Sequence, residues 1–213
     1  MKFPLVIFDW DGTLMDSVGR IVSSMQRTAA QLRLEHPSET AVRDIIGISL
    51  EPAIEKLFGR LSRADMAAFI EVYRQQYVYD DITPSPLFPG ARELLEDLRA
   101  RGYTLAVATG KARHGLERVW QEAGIRHLFH ASRCADETAS KPNPLMLREL
   151  LNETGHGVEQ AIMVGDSTHD MLMAEHAGMA RIAVRFGAHS TDQLAPHQPL
   201  AILDELTALT QYV

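Results

Sequence analysis

A chain of 213 residues that is 46% hydrophobic and 23% charged can bury a sizeable core, and its single cysteine, Cys134, excludes an intrachain disulfide. The formal net charge of −7, with no basic stripe to follow a phosphate backbone, excludes a general nucleic-acid binder. The apolar start FPLVIF is too short for a signal segment, and no stretch approaches the roughly 20 apolar residues of a membrane span. A cytoplasmic protein with no nucleic-acid or membrane partner is expected.

In chain order, a first strand runs through VIF and ends at Asp9, with Asp11 two residues on and a turn at Gly12-Thr13. Ser17 to Leu34 carries Val18, Ile21, Val22, Met25, Ala29 and Leu32 at helical spacing, with Asp16 or Ser17 as N-cap. Two further helices are predicted over Leu50 to Phe58 and Arg63 to Tyr79, so residues 17–83 read as all-helical. Pro84, Pro86 and Pro89 then make a stiff boundary. Beyond it the pattern alternates: a helix from Pro89 stopped by Gly102, a strand Thr104 to Ala108, and a helix closed by Gly124. A short strand near Leu128 to Ser132, a helix Pro144 to Thr154 and a strand Ala161 to Val164 follow. The pattern finishes with a helix Asp170 to Ala177, a strand Arg181 to Val184 and a helix Ala201 to Leu209. Such alternation predicts an α/β fold, a Rossmann-like parallel sheet covered by helices on both faces. The expected division is a core of 1–16 and 84–213 with a helical insert, 17–83, after the first strand.

Asp9, Thr109 and Asp166 all fall at strand ends, the rim where open α/β sheets bind ligands. At an effective dielectric of ~20, two carboxylates ~4 Å apart repel by roughly 4 kcal/mol. Asp9 and Asp11 at the end of a buried strand therefore require a cation, a shared proton or separate tasks.

Four stretches carry a family resemblance: VIFDWDGTL around Asp9, TLAVATG ending near Thr109, SKPNP with Lys141, and AIMVGDSTHD with Asp166 and Asp170. In this order, spanning Val6 to Asp170, they resemble the haloacid dehalogenase superfamily of phosphohydrolases. The helical insert resembles the cap of its phosphoglycolate phosphatase-like branch. The resemblance implies Asp9 as nucleophile, forming an aspartyl-phosphate, and Asp11 as general acid and then base. It implies Mg²⁺ held by Asp9, the Asp11 backbone carbonyl and Asp166, a hard all-oxygen set. Thr109 and the Gly110 amide would hold phosphoryl oxygens, and Lys141 would neutralise charge there, with Pro142 restricting where its ammonium points. Asp170 would hold Lys141 or a metal-bound water. Gly47, Ile48, Ser49 and Leu50, between cap helices, would choose the substrate, a small phosphorylated metabolite.

Other residues carry plainer expectations. Gly12 and Thr13 read as structural, with Thr13 bonded to Asp11; His169 reads as surface or capping. Tyr73 and Tyr77 should pack inside the cap, Trp10 should point away from the acids, and Cys134 should be a buried small residue. Lys111 and Arg113 are candidate substrate contacts. Phosphonate-cleaving and dehalogenating relatives lack the second aspartate, so Asp11 argues against both. A sugar-phosphate mutase keeps both aspartates but carries an arginine in its cap loop where GISL has Leu50. A non-catalytic phosphate-binding protein would not require an acid at the leaving group.

Overall fold

The computed structural model describes residues 2–213. Six parallel strands form one sheet in the order β3-β2-β1-β4-β5-β6: β1 Leu5–Phe8, β2 Thr104–Ala108, β3 Ala131–Arg133, β4 Ala161–Gly165, β5 Ala180–Val184 and β6 Ile202–Leu203. Strand β1 is central, with Phe8 paired to Val107 on one side and Val164 on the other. Alternate side chains divide between two cores. Val6, Phe8 and Trp10 join the helices α5 Ala91–Ala100 and α6 Arg113–Ala123 on one face. Leu5 and Ile7 join α7 Leu145–Thr154 and α8 Thr168–Ala177 on the other. Trp10 points away from the acids as expected, edge-on to Trp120 and Phe129.

Between β1 and α5 lies a helical layer, α1 Val18–Gln31, α2 Glu39–Arg43, α3 Leu50–Phe58 and α4 Arg63–Gln75, the last widening into a π-turn over Gln76–Asp80. These helices share their own apolar cluster, centred on Met25, Ile54 and Phe69. The connections in and out run side by side: Asp16 N–H donates to Pro86 O at 2.8 Å and Phe88 N–H to Leu14 O at 2.9 Å. None of the described helices is long and apolar enough to cross a membrane.

The structure departs from the sequence reading in four places. The short helix α2 was not anticipated, although the Ser38 hydroxyl caps it by accepting from Ala41 N–H at 3.1 Å. The third strand starts at Ala131 because residues 126–128 form a 3₁₀ turn first. A further short helix, α9 Thr191–Leu194, is capped by Ser190. The expected helix over 201–209 is instead the edge strand β6 followed by a 3₁₀ turn, Leu206–Gln211. Leu206 and Leu209 are both buried, one 3₁₀ turn apart on the same face.

Phe69 is fully buried in the helical cluster, so Phe69→Ala should remove about 3–5 kcal/mol of packing. Amide hydrogen exchange should then rise across 18–80 while β1, β2 and β4 stay protected. A uniform loss of protection would show instead that helical layer and sheet open as one unit.

Candidate active site

Three carboxylates meet at the C-terminal rim of the central strands. Asp9 follows β1, Asp166 follows β4 and Asp170 lies in the first turn of α8, and one oxygen from each lies within 4.8 Å of the others. All three are buried. The buried ammonium of Lys141 lies 2.7 Å from both Asp9 Oδ1 and Asp170 Oδ1. Sequence neighbours position each acid. Asp170 Oδ2 accepts from the Ser167 N–H at 3.1 Å and hydroxyl at 2.6 Å, closing a capping box at the start of α8. Asp166 accepts from Thr13 Oγ1 at 3.0 Å and from the Ala188 N–H at 2.6 Å. Thr13 thus serves Asp166 rather than Asp11, because the turn at Gly12 folds it toward β4. Gly12 has φ +82°, and a Cβ there would overlap the Asp166 carboxylate, so both conformation and space require glycine.

Asp9 is treated differently. Its Oδ1 has the ion pair to Lys141, but neither of its oxygens receives an aligned hydrogen bond. Burial, reinforced by Asp170 and Asp166, pushes its carboxyl well above the usual carboxylate range against the pull of Lys141. Burial and Asp170 likewise push Asp166 up to about 7, although Ala188, Thr13 and Lys141 oppose the shift. Burial would lower Lys141, yet Asp170 and Asp9 more than offset it and raise its value. Three carboxylates facing one ammonium leave the cluster short of positive charge.

Asp11 forms a second group beside the first. Lys111 Nζ donates to both its oxygens, at 2.8 and 2.9 Å, and to the Tyr77 hydroxyl at 3.2 Å. The Ser17 hydroxyl donates to Asp11 Oδ1 at 2.6 Å, so it does not cap α1 as expected. Lys111 is tied back by its own N–H, which donates to Thr109 Oγ1 at 3.1 Å. Tyr77 packs within the helical layer as anticipated, stacked on Tyr73 at 5.9 Å between ring centroids, but its hydroxyl reaches out of that layer to the sheet rim. No local pattern announced that contact; only the topology brings residues 77 and 111 together. Arg113 is not at this site: it pairs with Glu137 at 2.7 Å, with the Ser132 hydroxyl also accepting from it at 2.9 Å.

The loop 47–50 closes over the turn after β2. A Cβ on Gly110 would lie 2.6 Å from Gly47 O and 2.8 Å from Ile48 O, an approach only glycine allows. Ser49 N–H donates to Ser140 Oγ at 2.9 Å, one residue before Lys141. Gly47, Ile48, Ser49 and Leu50 line a cavity of about 690 Å³ that also reaches Asp9, Asp11 and Gly110. His169 is half-buried rather than on the surface, and its capping role is to another helix: its Nε2 donates to O of Asp44, the C-cap residue of α2, at 3.1 Å and fastens the helical layer to α8. His189, unremarked in the sequence, is buried and accepts from Thr168 N–H at 3.0 Å. Cys134 is buried as expected, and burial pushes its thiol up to about 12.

The family model for haloacid dehalogenase-like hydrolases matches residues 6–184, a span that takes in both groups of acids and the helical layer. The chain belongs to that family. Over 208 residues this hydrolase is 38% identical to the "probable phosphatase IndB" of Dickeya dadantii, covering 94% of this chain and 89% of that one. It is 31% identical over 212 residues to a 5'-nucleotidase of Pseudomonas aeruginosa, covering 99% and 96%. The crystal structure of a predicted phosphoglycolate phosphatase from Haemophilus somnus 129PT superposes with a TM-score of 0.89 at 27% identity, covering 99% and 98%. The hydrolase thus has a phosphoglycolate phosphatase-like fold over 99% of its length, with phosphatases among its relatives.

Lys141→Met should destabilise the metal-free hydrolase by about 3–5 kcal/mol at pH 8, because it leaves buried carboxylates uncompensated. At pH 5 the loss should shrink, since Asp166, raised to about 7, then takes up a proton. Urea unfolding at the two pH values checks this; an equal loss at both would remove charge compensation as the role of Lys141.

Proposed function

We propose that this hydrolase is a Mg²⁺-dependent phosphatase that cleaves small phosphate monoesters through an aspartyl-phosphate on Asp9. The observation that carries the reading is Asp9 itself: a buried carboxylate among two others, with an ammonium on Oδ1 and no aligned donor on either oxygen. Such a group is unshielded toward an incoming electrophile. The division into a core of 1–16 and 84–213 and a cap of 17–83 belongs to the same reading, supported by the separate helical cluster and the paired connections.

The donors fit a hard divalent cation. Asp9, Asp166 and Asp170 against Lys141 give three formal negative charges and one positive, and all ligand atoms on offer are oxygen. Asp9, Asp166 and the Asp11 backbone carbonyl would hold the ion, which when bound neutralises phosphoryl charge.

The remaining steps belong to the chain's own residues. Asp9 attacks phosphorus, the bond to the ester oxygen breaks, and Asp11 supplies the proton that oxygen takes. Asp11 then accepts a proton from the water that releases phosphate and restores Asp9. Lys141 and the Thr109–Gly110 turn hold the transferring oxygens, and Asp170 keeps Lys141 in place. Lys111 and Ser17 orient Asp11, and an arriving phosphoryl group competes with Asp11 for the Lys111 ammonium. The loop Gly47–Leu50 faces whatever the phosphate carries. A binding protein without turnover would have no use for a carboxylate held by Lys111 and Ser17 beside the nucleophile.

Metal and pH should be linked. Between the ordinary aspartate range and about 7, folded Asp166 keeps a proton that the unfolded chain has lost, so metal-free stability falls as pH rises through that window. A divalent cation needs the ionised form, so its stabilisation grows over the same window. The Mg²⁺-induced rise in Tm should therefore be larger at pH 8 than at pH 5, and EDTA should abolish turnover of 4-nitrophenyl phosphate. Full turnover after exhaustive metal removal would refute the metal assignment.

Asp9→Asn and Asp11→Asn should each reduce kcat by roughly 10³-fold or more. The Asp11→Asn defect should be smaller on an aryl than on an alkyl phosphate, because a good leaving group needs less proton help. Equal defects on both esters would take Asp11 out of the acid role.

A further inference from the structure

The cavity beside Asp9 and Asp11 is far larger and more apolar than a phosphoryl group requires. Its volume of about 690 Å³ is within the range of about 300–1,000 Å³ typical of sites for whole small molecules. Its helical-layer wall is built from Ile21, Met25, Ile45, Ile46 and Ile70, with Tyr73 stacked on Tyr77 in the same wall. A two-carbon acid would leave most of this space without contact atoms, and such voids forfeit dispersion contacts on every side.

Charge points the same way. Three lysine or arginine side chains line the cavity, and each already faces a carboxylate: Lys111 on Asp11 at 2.8 Å, Arg118 on Glu122 at 2.7 Å and Arg74 on Glu71 at 3.4 Å. His114 is the remaining basic side chain there. A second negative group on the substrate, beyond the phosphate, would be desolvated against an apolar wall with no unpaired cation to meet it.

We propose that the cavity receives the alcohol part of the substrate, and that this part is an uncharged, ring-bearing group rather than a short carboxylic acid. The stacked tyrosines offer a ring an aromatic wall, and the isoleucines and Met25 enclose it. This rests on the phosphatase reading for the position of the phosphate, and on the cavity alone for the nature of the alcohol. Phosphate monoesters of ring-bearing alcohols, nucleosides included, are the substrate class; phosphoglycolate is outside it.

The test compares 2-phenylethyl phosphate, ethyl phosphate and phosphoglycolate, whose alkyl leaving groups avoid the advantage of an aryl ester. The expected kcat/KM is at least about 100-fold higher for 2-phenylethyl than for ethyl phosphate, and phosphoglycolate should rank lowest. Asp9→Asn with Mg²⁺, titrated calorimetrically with the same three esters, should bind them in the same order. Ile48→Arg, which places a cation on the cavity's loop, should raise kcat/KM for phosphoglycolate and lower it for 2-phenylethyl phosphate. Phosphoglycolate turned over as well as 2-phenylethyl phosphate would overturn the substrate class and leave the phosphatase reading intact. The expected binding order with no turnover of any ester, 4-nitrophenyl phosphate included, would overturn the phosphatase reading and uphold the class. Neither binding nor turnover of any ester would overturn both.

Discussion

The Lys141 ammonium, 2.7 Å from two of three buried carboxylates, is the contact on which the electrostatics of the sheet rim depends. At an effective dielectric of ~20, each pair of like charges ~4 Å apart costs roughly 4 kcal/mol, so three acids cannot ionise together beside a single cation. The fold does not relieve this. It fixes Asp9 and Asp166 at the ends of neighbouring strands whose residues are wholly buried, and fixes Asp170 by a capping box. The shortfall in positive charge surfaces as raised carboxyl values at Asp9 and Asp166, and the divalent cation of the proposed function would answer it. Hydrophobic burial on both faces of the sheet keeps that tension from relaxing.

Much of this was legible because it is local. Apolar strands ending in acid and the turn at Gly12 are short-range patterns whose physics is contained in a few residues, whereas the capping bond of Ser167 to Asp170 came only with the structure. The parallel sheet followed from the alternation of strand and helix, and the helical layer from the interruption of that alternation. The Lys111 contacts were not legible in the same way. Lys111 is 100 residues from Asp11 and 34 from Tyr77, and nothing in a lysine after Thr-Gly distinguishes an ion pair from a solvated side chain. Ser17 misled because a serine before a helix is usually a cap, whereas here a buried carboxylate is a stronger acceptor partner than the helix start. The C-terminal segment misled because apolar spacing alone does not separate an edge strand and a 3₁₀ turn from a short helix.

The two halves of the site differ in kind. The sheet rim supplies charge and hydrogen bonds at fixed positions, set by strand register and backbone turns. The helical layer supplies apolar surface and shape. A phosphate monoester has the same division, a charged group whose chemistry is invariant and an alcohol that varies, so on the proposed reading each half of the molecule would meet the half of the ester it suits. Close backbone packing keeps the halves in register. Gly110 admits the Gly47 and Ile48 carbonyls, and Arg43 Nη1 donates to Gly187 O at 3.1 Å across the same junction.

Lys111 is where that division breaks down, and the reason is geometric. Its ammonium has donors for more than one acceptor, and it uses them on Asp11 from the sheet and on Tyr77 from the helical layer. The position of α4 and its π-turn is therefore not independent of the orientation of Asp11. If the helical layer lifts, Lys111 loses the Tyr77 hydroxyl; if Lys111 turns toward an incoming phosphoryl oxygen, Asp11 loses its bidentate partner and keeps only Ser17. In the proposed mechanism, closure over a ligand and release of the Asp11 carboxylate toward the leaving oxygen would draw on the same hydrogen-bond donors. One lysine, held at its base by Thr109 Oγ1, would thereby couple the fit of the alcohol to the geometry of the proposed proton transfer.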